Sequence, residues 1–300
     1  MELGYIGLGK MGSAMVERLM EKGHRVVVHD RDRKTIDLLA AKGAAPAGSI
    51  DELASSLGKP RLVWIMVPHQ AVDGVLQELS AHLAQGDTII DGGNSPYRDS
   101  IRRAEDLAAK GIDFLDAGVS GGPSGARNGA CIMVGGRREV YLRYEGFFRD
   151  LAVEGGWAHV GRSGAGHFVK MVHNGIEYGM MQALAEGFSV MKQAPFDLDL
   201  AKIADLYDHR SVIESRLVGW LKNAFVRYGD GLEGISGSAA QSGEGLWTVE
   251  AAKELGVPVP VIEAALKFRT ASQKDPRYPG RIISALRNQF GGHEAGEQKR

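Results

Sequence analysis

The stretch GYIGLGKMG, residues 4–12, places Gly7, Gly9 and Gly12 in the spacing G-x-G-x-x-G, between a short apolar run and the amphipathic segment MGSAMVERLMEKG. Each glycine has its own task beside a pyrophosphate. The first permits a tight turn, the second lets backbone approach the anion, and the third lets helix pack on strand while the helix N-terminus faces the phosphates. With strand-forming residues before it and a helical pattern after, the stretch reads as a dinucleotide cradle in which Gly7, Leu8, Gly9, Lys10, Met11 and Gly12 meet the cofactor. The next apolar run, HRVVVHD, ends in Asp30, where an acidic residue accepts hydrogen bonds from an adenine ribose, which favours NAD. Arg31, Arg33 and Lys34 follow at once and offer partners to a 2′-phosphate, so NADP stays possible beside Asp30 and Asp32.

Working outward, apolar runs keep alternating with amphipathic stretches. RLVWIMV (61–67, ending in Val67), DTIIDG (87–92), IDFLDAG (112–118), ACIMVGG (130–136) and GWAHVG (156–161) are strand candidates, with helices between most of them. Strand alternating with helix predicts a mostly parallel sheet covered on both faces, an α/β Rossmann-like dinucleotide-binding domain over 1–163. After Gly161 the β-branched runs stop. Helical spacing predicts an all-α domain over 164–300, with helices near 166–193, 199–207, 211–226, 242–255 and 258–272. APFD, YGDG, GVPVP and PRYPG read as the breaks between helices, and the tail EAGEQKR as frayed.

The first of those helices carries GHFVKMVHNGIEYG, residues 166–179. At about 100° per residue, Lys170, His173, Asn174, Glu177 and Tyr178 fall at roughly 0°, −60°, +40°, −20° and +80°, on one face. Phe168, Val172, Ile176 and Met180 form the opposite side, which is expected to bury against neighbouring helices. The polar face is expected to line a cleft, with Lys170 and Glu177 two turns apart as a base and acid pair. Gly175 and Gly179, each unfavourable in a helix by about 1 kcal/mol, point to close approach by another backbone or a ligand. Two polar loops belong with this face: DGGNS (91–95) and GVSGGPSGARNG (118–129) follow strand candidates, and crevices outside such strand ends bind ligands in open α/β sheets.

The totals set bounds. Three hundred residues suit two domains, and a formal net charge of −1 gives no global attraction to nucleic acid or anionic lipid. No stretch of eighteen or more apolar residues occurs, so no membrane partner is expected. One cysteine, Cys131, excludes an internal disulfide framework and fits a reducing, cytoplasmic setting. No aspartate or histidine cluster demands a metal.

GxGxMG at the start, DGGNSPYRDSIRRAEDLAAKGIDFLDAGVSGGPSGARNG in the middle and GHFVKMVHNGIEYGMMQALAEGF after it resemble the decarboxylating 6-phosphogluconate dehydrogenases, in their short form. The resemblance covers most of the chain. It implies oxidative decarboxylation of 6-phosphogluconate, with Lys170 as general base and Glu177 as proton donor. It implies substrate contacts at Asn94 (which also meets the cofactor), Ser120, Gly121, Gly122, His173, Asn174 and Tyr178, with Arg269 on the phosphate. LRNQFGGH resembles the segment whose arginine and histidine, here Arg287 and His293, reach the neighbouring subunit's site. The helical domain would then also serve dimerisation, in a homodimer or homotetramer with shared sites, and the segment is expected to extend away from its own domain. Two departures stand out. QSGEG puts Ser242 where longer forms carry a phosphate-binding lysine, and Asp30-Arg31-Asp32 replaces the Asn-Arg-Thr of NADP-dependent members. The alternatives are another β-hydroxyacid dehydrogenase, of 3-hydroxyisobutyrate or tartronate semialdehyde type, and a non-catalytic dinucleotide-sensing protein on the same fold.

Overall fold

A computed structural model describes residues 1–241 and 243–296. The chain divides into two compact units, Met1–Met171 and a second from Val172 onward. In the first, β1 (Glu2–Ile6), β2 (Arg25–His29), β3 (Ala45–Pro46), β4 (Leu62–Ile65), β5 (Thr88–Asp91), β6 (Asp113–Ser120), β7 (Ala130–Gly136) and β8 (Ala152–Gly161) form one sheet in the order 3-2-1-4-5-6-7-8. The order reverses at β1, as in dinucleotide-binding sheets, and every pairing is parallel except β6 with β7.

Helices cover both faces: α1 (Lys10–Glu21), α2 (Arg33–Ala40), α3 (Ile50–Ser55), α4 (His69–Ser80), α5 (Tyr97–Ala108), α6 (Gly122–Asn128), α7 (Arg138–Arg143) and α8 (Glu145–Leu151). The strands are therefore apolar on both sides, with alternate residues feeding different cores. Leu3, Tyr5, Val26, Val28 and Trp64 pack on one face, and Ile6, Val27, Val63, Ile65 and Ile89 on the other. The two-residue β3 carries too little pattern to be read from sequence, and β8 begins earlier than GWAHVG suggests.

The second unit is helical among its described residues. It holds most of α9 (Ala165–Gln193), then α10 (Leu200–Tyr207), α11 (Arg216–Tyr228), α12 (Glu244–Glu254), α13 (Pro260–Ser272) and α14 (Tyr278–Gly291). Helix α11 starts later than expected because the Ser215 hydroxyl accepts the Val218 N–H and caps it there.

The end of the chain departs most from expectation. PRYPG opens α14 instead of breaking the chain, since Pro279 sits in the first turn, where a missing N–H has no partner to lose. LRNQFGGH consequently does not extend away. It completes α14, whose Ile282, Ile283, Ala285 and Leu286 are fully buried in the same core as Phe188, Leu221 and Phe225. Residues 294–296 are pinned too, for the Ser236 N–H donates to the Ala295 carbonyl at 2.7 Å. Residues 297–300, the rest of the tail expected to fray, lie outside the described residues.

Candidate active site

The cradle glycines divide their work as their spacing requires. Gly7 has φ +100°, and a Cβ there would lie 2.2 Å from the Met66 carbonyl oxygen, so only glycine fits. A Cβ on Gly12 would strike the Gly7 carbonyl oxygen at 2.0 Å, which sets how tightly α1 rests on the turn. Gly9, the N-cap of α1, has nothing within 4 Å of its Cβ position, and no side chain caps the helix start. Open space before uncapped N–H groups suits a pyrophosphate, and α1 has no acidic residue in its first turn to repel one.

Asp30 holds this loop. Its carboxylate accepts the Leu8 N–H at 2.6 Å and the Asp32 N–H at 2.8 Å, while Asp32 caps α2 through the Lys34 N–H. Lys10 and Arg31 are exposed, Met11 is half-buried, and the half-buried Val67 lies beside the position of a Gly7 Cβ. Asn94 is exposed on the loop after β5, which a buried network shapes. Asp91 accepts from the Gly93 N–H and the Ser95 hydroxyl, and the fully buried Arg103 reaches Asp91, Ser95 and Asp73.

Asp116, Gly118 and Ser120 alternate onto one face of β6. Beyond Ser120, Gly121 and Gly122 both take positive φ, +127° and +62°, which turns the chain into α6. Lys170, 7% exposed, lies against this face, since a Cβ on Gly118 would come within 2.3 Å of the Lys170 Cβ. The first unit thus brings together the cradle, Asn94, Ser120–Gly122 and Lys170 at or near the C-terminal ends of β1, β5 and β6.

Within the second unit α9 continues with Asn174, 8% exposed, whose Oδ1 lies 3.0 Å from His173 Nδ1. The Glu177 carboxylate lies 3.9 Å from the same nitrogen. The apolar side of α9 does not bury as expected: Ile176 and Met180 are 54% and 43% exposed in the single chain. It is the glycines that pack inward, Gly175 against Thr248 and Gly179 beside Val261. Tyr178 is buried beside Gly245, with the Arg269 guanidinium 3.4 Å from its ring centroid.

Arg269 is 2% exposed, and its Nε has no hydrogen-bond partner among the described residues. Burial pushes its pKa down to about 10, with Arg287 adding repulsion and Tyr178, Glu177 and Glu244 opposing. Burial likewise lowers Arg287, against the same three groups. Arg287 therefore lies within electrostatic reach of Tyr178 in its own unit, where α14 puts it. His293 folds back over the end of α14 past Gly292, whose φ is +60°.

Two domain families match this architecture: the NAD binding domain of 6-phosphogluconate dehydrogenase over residues 2–161, and the 6-phosphogluconate dehydrogenase C-terminal domain over 166–278. The chain belongs to the 6-phosphogluconate dehydrogenase family. The Bacillus subtilis protein YqeC, provisionally named a 6-phosphogluconate dehydrogenase, is 47% identical over 293 residues, 98% of each chain. The NAD(+)-dependent, decarboxylating 6-phosphogluconate dehydrogenase of Haloferax volcanii is 42% identical, again over 98% of each. The Plasmodium falciparum enzyme, solved with NADP+ and with 6-phosphogluconate, superposes with TM-score 0.82 at 28% identity, over 95% of this chain and 70% of that one.

Several residues that shape the site went unnoticed in the sequence. Asp91 and Asp116 had a signal, each being an acid inside an apolar strand. Glu244, 5% exposed, stands in the QSGEG departure, where attention falls on Ser242, which lies outside the described residues. The buried Arg269 and the half-buried Arg287 lie within electrostatic reach of one another and remain cations at neutral pH, so an anion that binds the folded chain alone should stabilise it. Inorganic phosphate is expected to raise Tm in a saturable way, more than equal ionic strength of chloride does. An equal effect of the two salts would refute an anion pocket at Arg269 and Arg287.

Proposed function

We propose that this chain oxidises and decarboxylates 6-phosphogluconate to ribulose 5-phosphate and carbon dioxide, with NAD preferred as electron acceptor and NADP accepted. The observation that carries the reading is Lys170, a buried amine in the same unit as the dinucleotide cradle. Proton abstraction coupled to hydride transfer needs such a base. Lys170, neutral when substrate binds, takes the C3 hydroxyl proton. Gly7–Gly12, Asp30, Arg31, Val67 and Asn94 would hold NAD, which would supply the acceptor for the hydride leaving C3. The oxidised acid is a β-keto acid, which loses carbon dioxide as the Lys170 ammonium polarises the ketone oxygen. Glu177 then protonates the enediol at C1. Asn94, Ser120, Gly121, Gly122, His173 and Asn174 hold the sugar acid, and Tyr178, Arg269, Arg287 and His293 the phosphate.

Lys170→Met should lower kcat about 10²-fold or more while NAD binding stays near native. Glu177→Gln should slow turnover and leave NAD affinity unchanged. Release of carbon dioxide alongside reduced cofactor, across a panel of hydroxy acids, separates this reading from a simple β-hydroxyacid dehydrogenase and from a silent sensor. Native turnover in Lys170→Met would remove the base assignment.

The Asp30 carboxylate suits a ribose hydroxyl and opposes a 2′-phosphate, so kcat/KM should favour NAD. Replacing Asp30 and Asp32 by Asn and Thr should shift preference toward NADP, with Arg31 free to pair. A native preference for NADP would refute the role given to Asp30.

The chain works as a homodimer or homotetramer in a reducing, cytoplasmic setting. Exposed Ile176 and Met180, with the still more exposed Val261, supply an apolar surface of the kind that associates. The resemblance implies sites shared between subunits through Arg287 and His293. A self-contained phosphate site is the second reading, which the half-buried Arg287 within electrostatic reach of its own Tyr178 favours. Mixing inactive Lys170→Met and Arg287→Ala chains under conditions that exchange subunits decides between them. Recovered activity returns the shared site, and demonstrated exchange without recovery returns the self-contained one.

A further inference from the structure

Asp116 has no exposed surface, and among the described residues no cationic side chain pairs with it. Its carboxylate is met by the start of α9 alone: one oxygen accepts the Gly164 N–H at 2.7 Å, the other the His167 N–H at 2.9 Å. These are the N–H groups that a capping side chain would satisfy, and the positive end of the helix dipole adds to them. A 29-residue helix has apolar contacts enough to seat it, yet a buried charge that must be hydrogen-bonded does something that apolar contacts do not. It accepts one rise and one rotation of the helix, because both N–H groups must reach it together.

The surroundings are built for that single seating. A Cβ on Gly166 would lie 2.4 Å from the Asp116 carbonyl oxygen and 2.5 Å from that of Met133, and one on Gly135 would lie 2.6 Å from Asp116 Oδ1. Backbone rests directly on backbone where these glycines meet. A second fastener sits in the same turn, for His167 Nδ1 lies 2.7 Å from the Ser100 hydroxyl on α5, with both residues buried. Lys170 follows His167 by three residues, nearly one helical turn, and its Cβ is already in contact with Gly118.

We propose that Asp116 is a positioning residue for Lys170: by holding Gly164 and His167, with His167 anchored in turn on Ser100, it fixes where the catalytic amine stands over β6. The proposal rests on Lys170 being the general base. A base displaced by a fraction of an ångström loses rate, while NAD affinity is spared because the cradle is built on β1 and α1 rather than on α9.

Asp116→Asn tests it, since the amide keeps the shape but turns an N–H₂ toward one of two N–H donors. The expected result is a kcat per folded site lowered about 10²-fold, with the NAD dissociation constant within about threefold of native. The primary deuterium isotope effect on kcat, read with substrate deuterated at C3, should be at least as large as in the native enzyme. Ser100→Ala should give the same pattern with a smaller loss, and it carries the test if Asp116→Asn does not fold. The proposal is overturned if kcat per folded site stays within about threefold of native, if the loss follows only the folded fraction read from Tm and NAD binding, or if the isotope effect falls. Failure of the native chain to oxidise 6-phosphogluconate would sink the assigned function instead. An active native enzyme indifferent to Asp116 would sink only the positioning role.

Discussion

A carboxylate with no exposed surface needs donors, and Asp116 finds them in the backbone that begins α9. Much of the first unit follows from that requirement. The donors are main-chain groups, so what must be preserved is the path of the chain, and the glycines at 118, 135 and 166 exist where that path leaves no room for a Cβ. The first compact unit accordingly runs to Met171 and takes in the start of α9, although the sequence changes texture at the 163/164 junction.

The same device recurs along the sheet. Asp30 lies just past β2 and takes the Leu8 N–H, Asp91 ends β5 and takes the Gly93 N–H, and Asp116 takes the start of α9. In each case an acid in a strand or just past its end orders the backbone of a neighbouring segment that carries part of the proposed site: the cradle, Asn94 and Lys170. Arg103 is the counterpart from the helix side, buried at 2% exposure to hold Asp91 and Ser95 together. Removing one partner of such a set leaves a buried charge unanswered, which costs more than the hydrogen bond itself was worth. The loops at this edge are therefore fixed by charge in the layer beneath them.

How much of this was legible depended on whether the signal was local. The glycine spacing announced the cradle because each glycine answers a backbone demand within a few residues. The polar face of α9 was legible from its period, but amphipathicity says that two faces differ and not which one is buried. Lys170 and Asn174 turned inward, and Ile176 and Met180 were left outward. Helix α14 was missed because Pro279 and Gly280 look like breakers. A Cβ on Gly280 would lie 1.8 Å from the Gly237 carbonyl oxygen, a contact 43 positions away in sequence that no local pattern reports. Asp116 and its donors lie similarly far apart, so its task could be read only once the strand and the helix were placed together.

Asp30 has two tasks at the cofactor site. From the sequence, Asp30 is a group at the end of a strand that welcomes a ribose hydroxyl and repels a 2′-phosphate. In the fold it is also a strut, with its two oxygens already accepting the Leu8 and Asp32 N–H groups. A carboxylate oxygen has lone pairs to spare, so a ribose hydroxyl joins this arrangement without displacing either bond. A 2′-phosphate brings negative charge against a carboxylate that cannot swing away without releasing the phosphate loop. Arg31 is exposed beside it and able to pair, yet the repulsion it would have to offset is anchored in the cradle itself. On the proposed preference for NAD, discrimination against the extra phosphate and the shape of the pyrophosphate site rest on one side chain, and a change that relaxes the first also loosens the second.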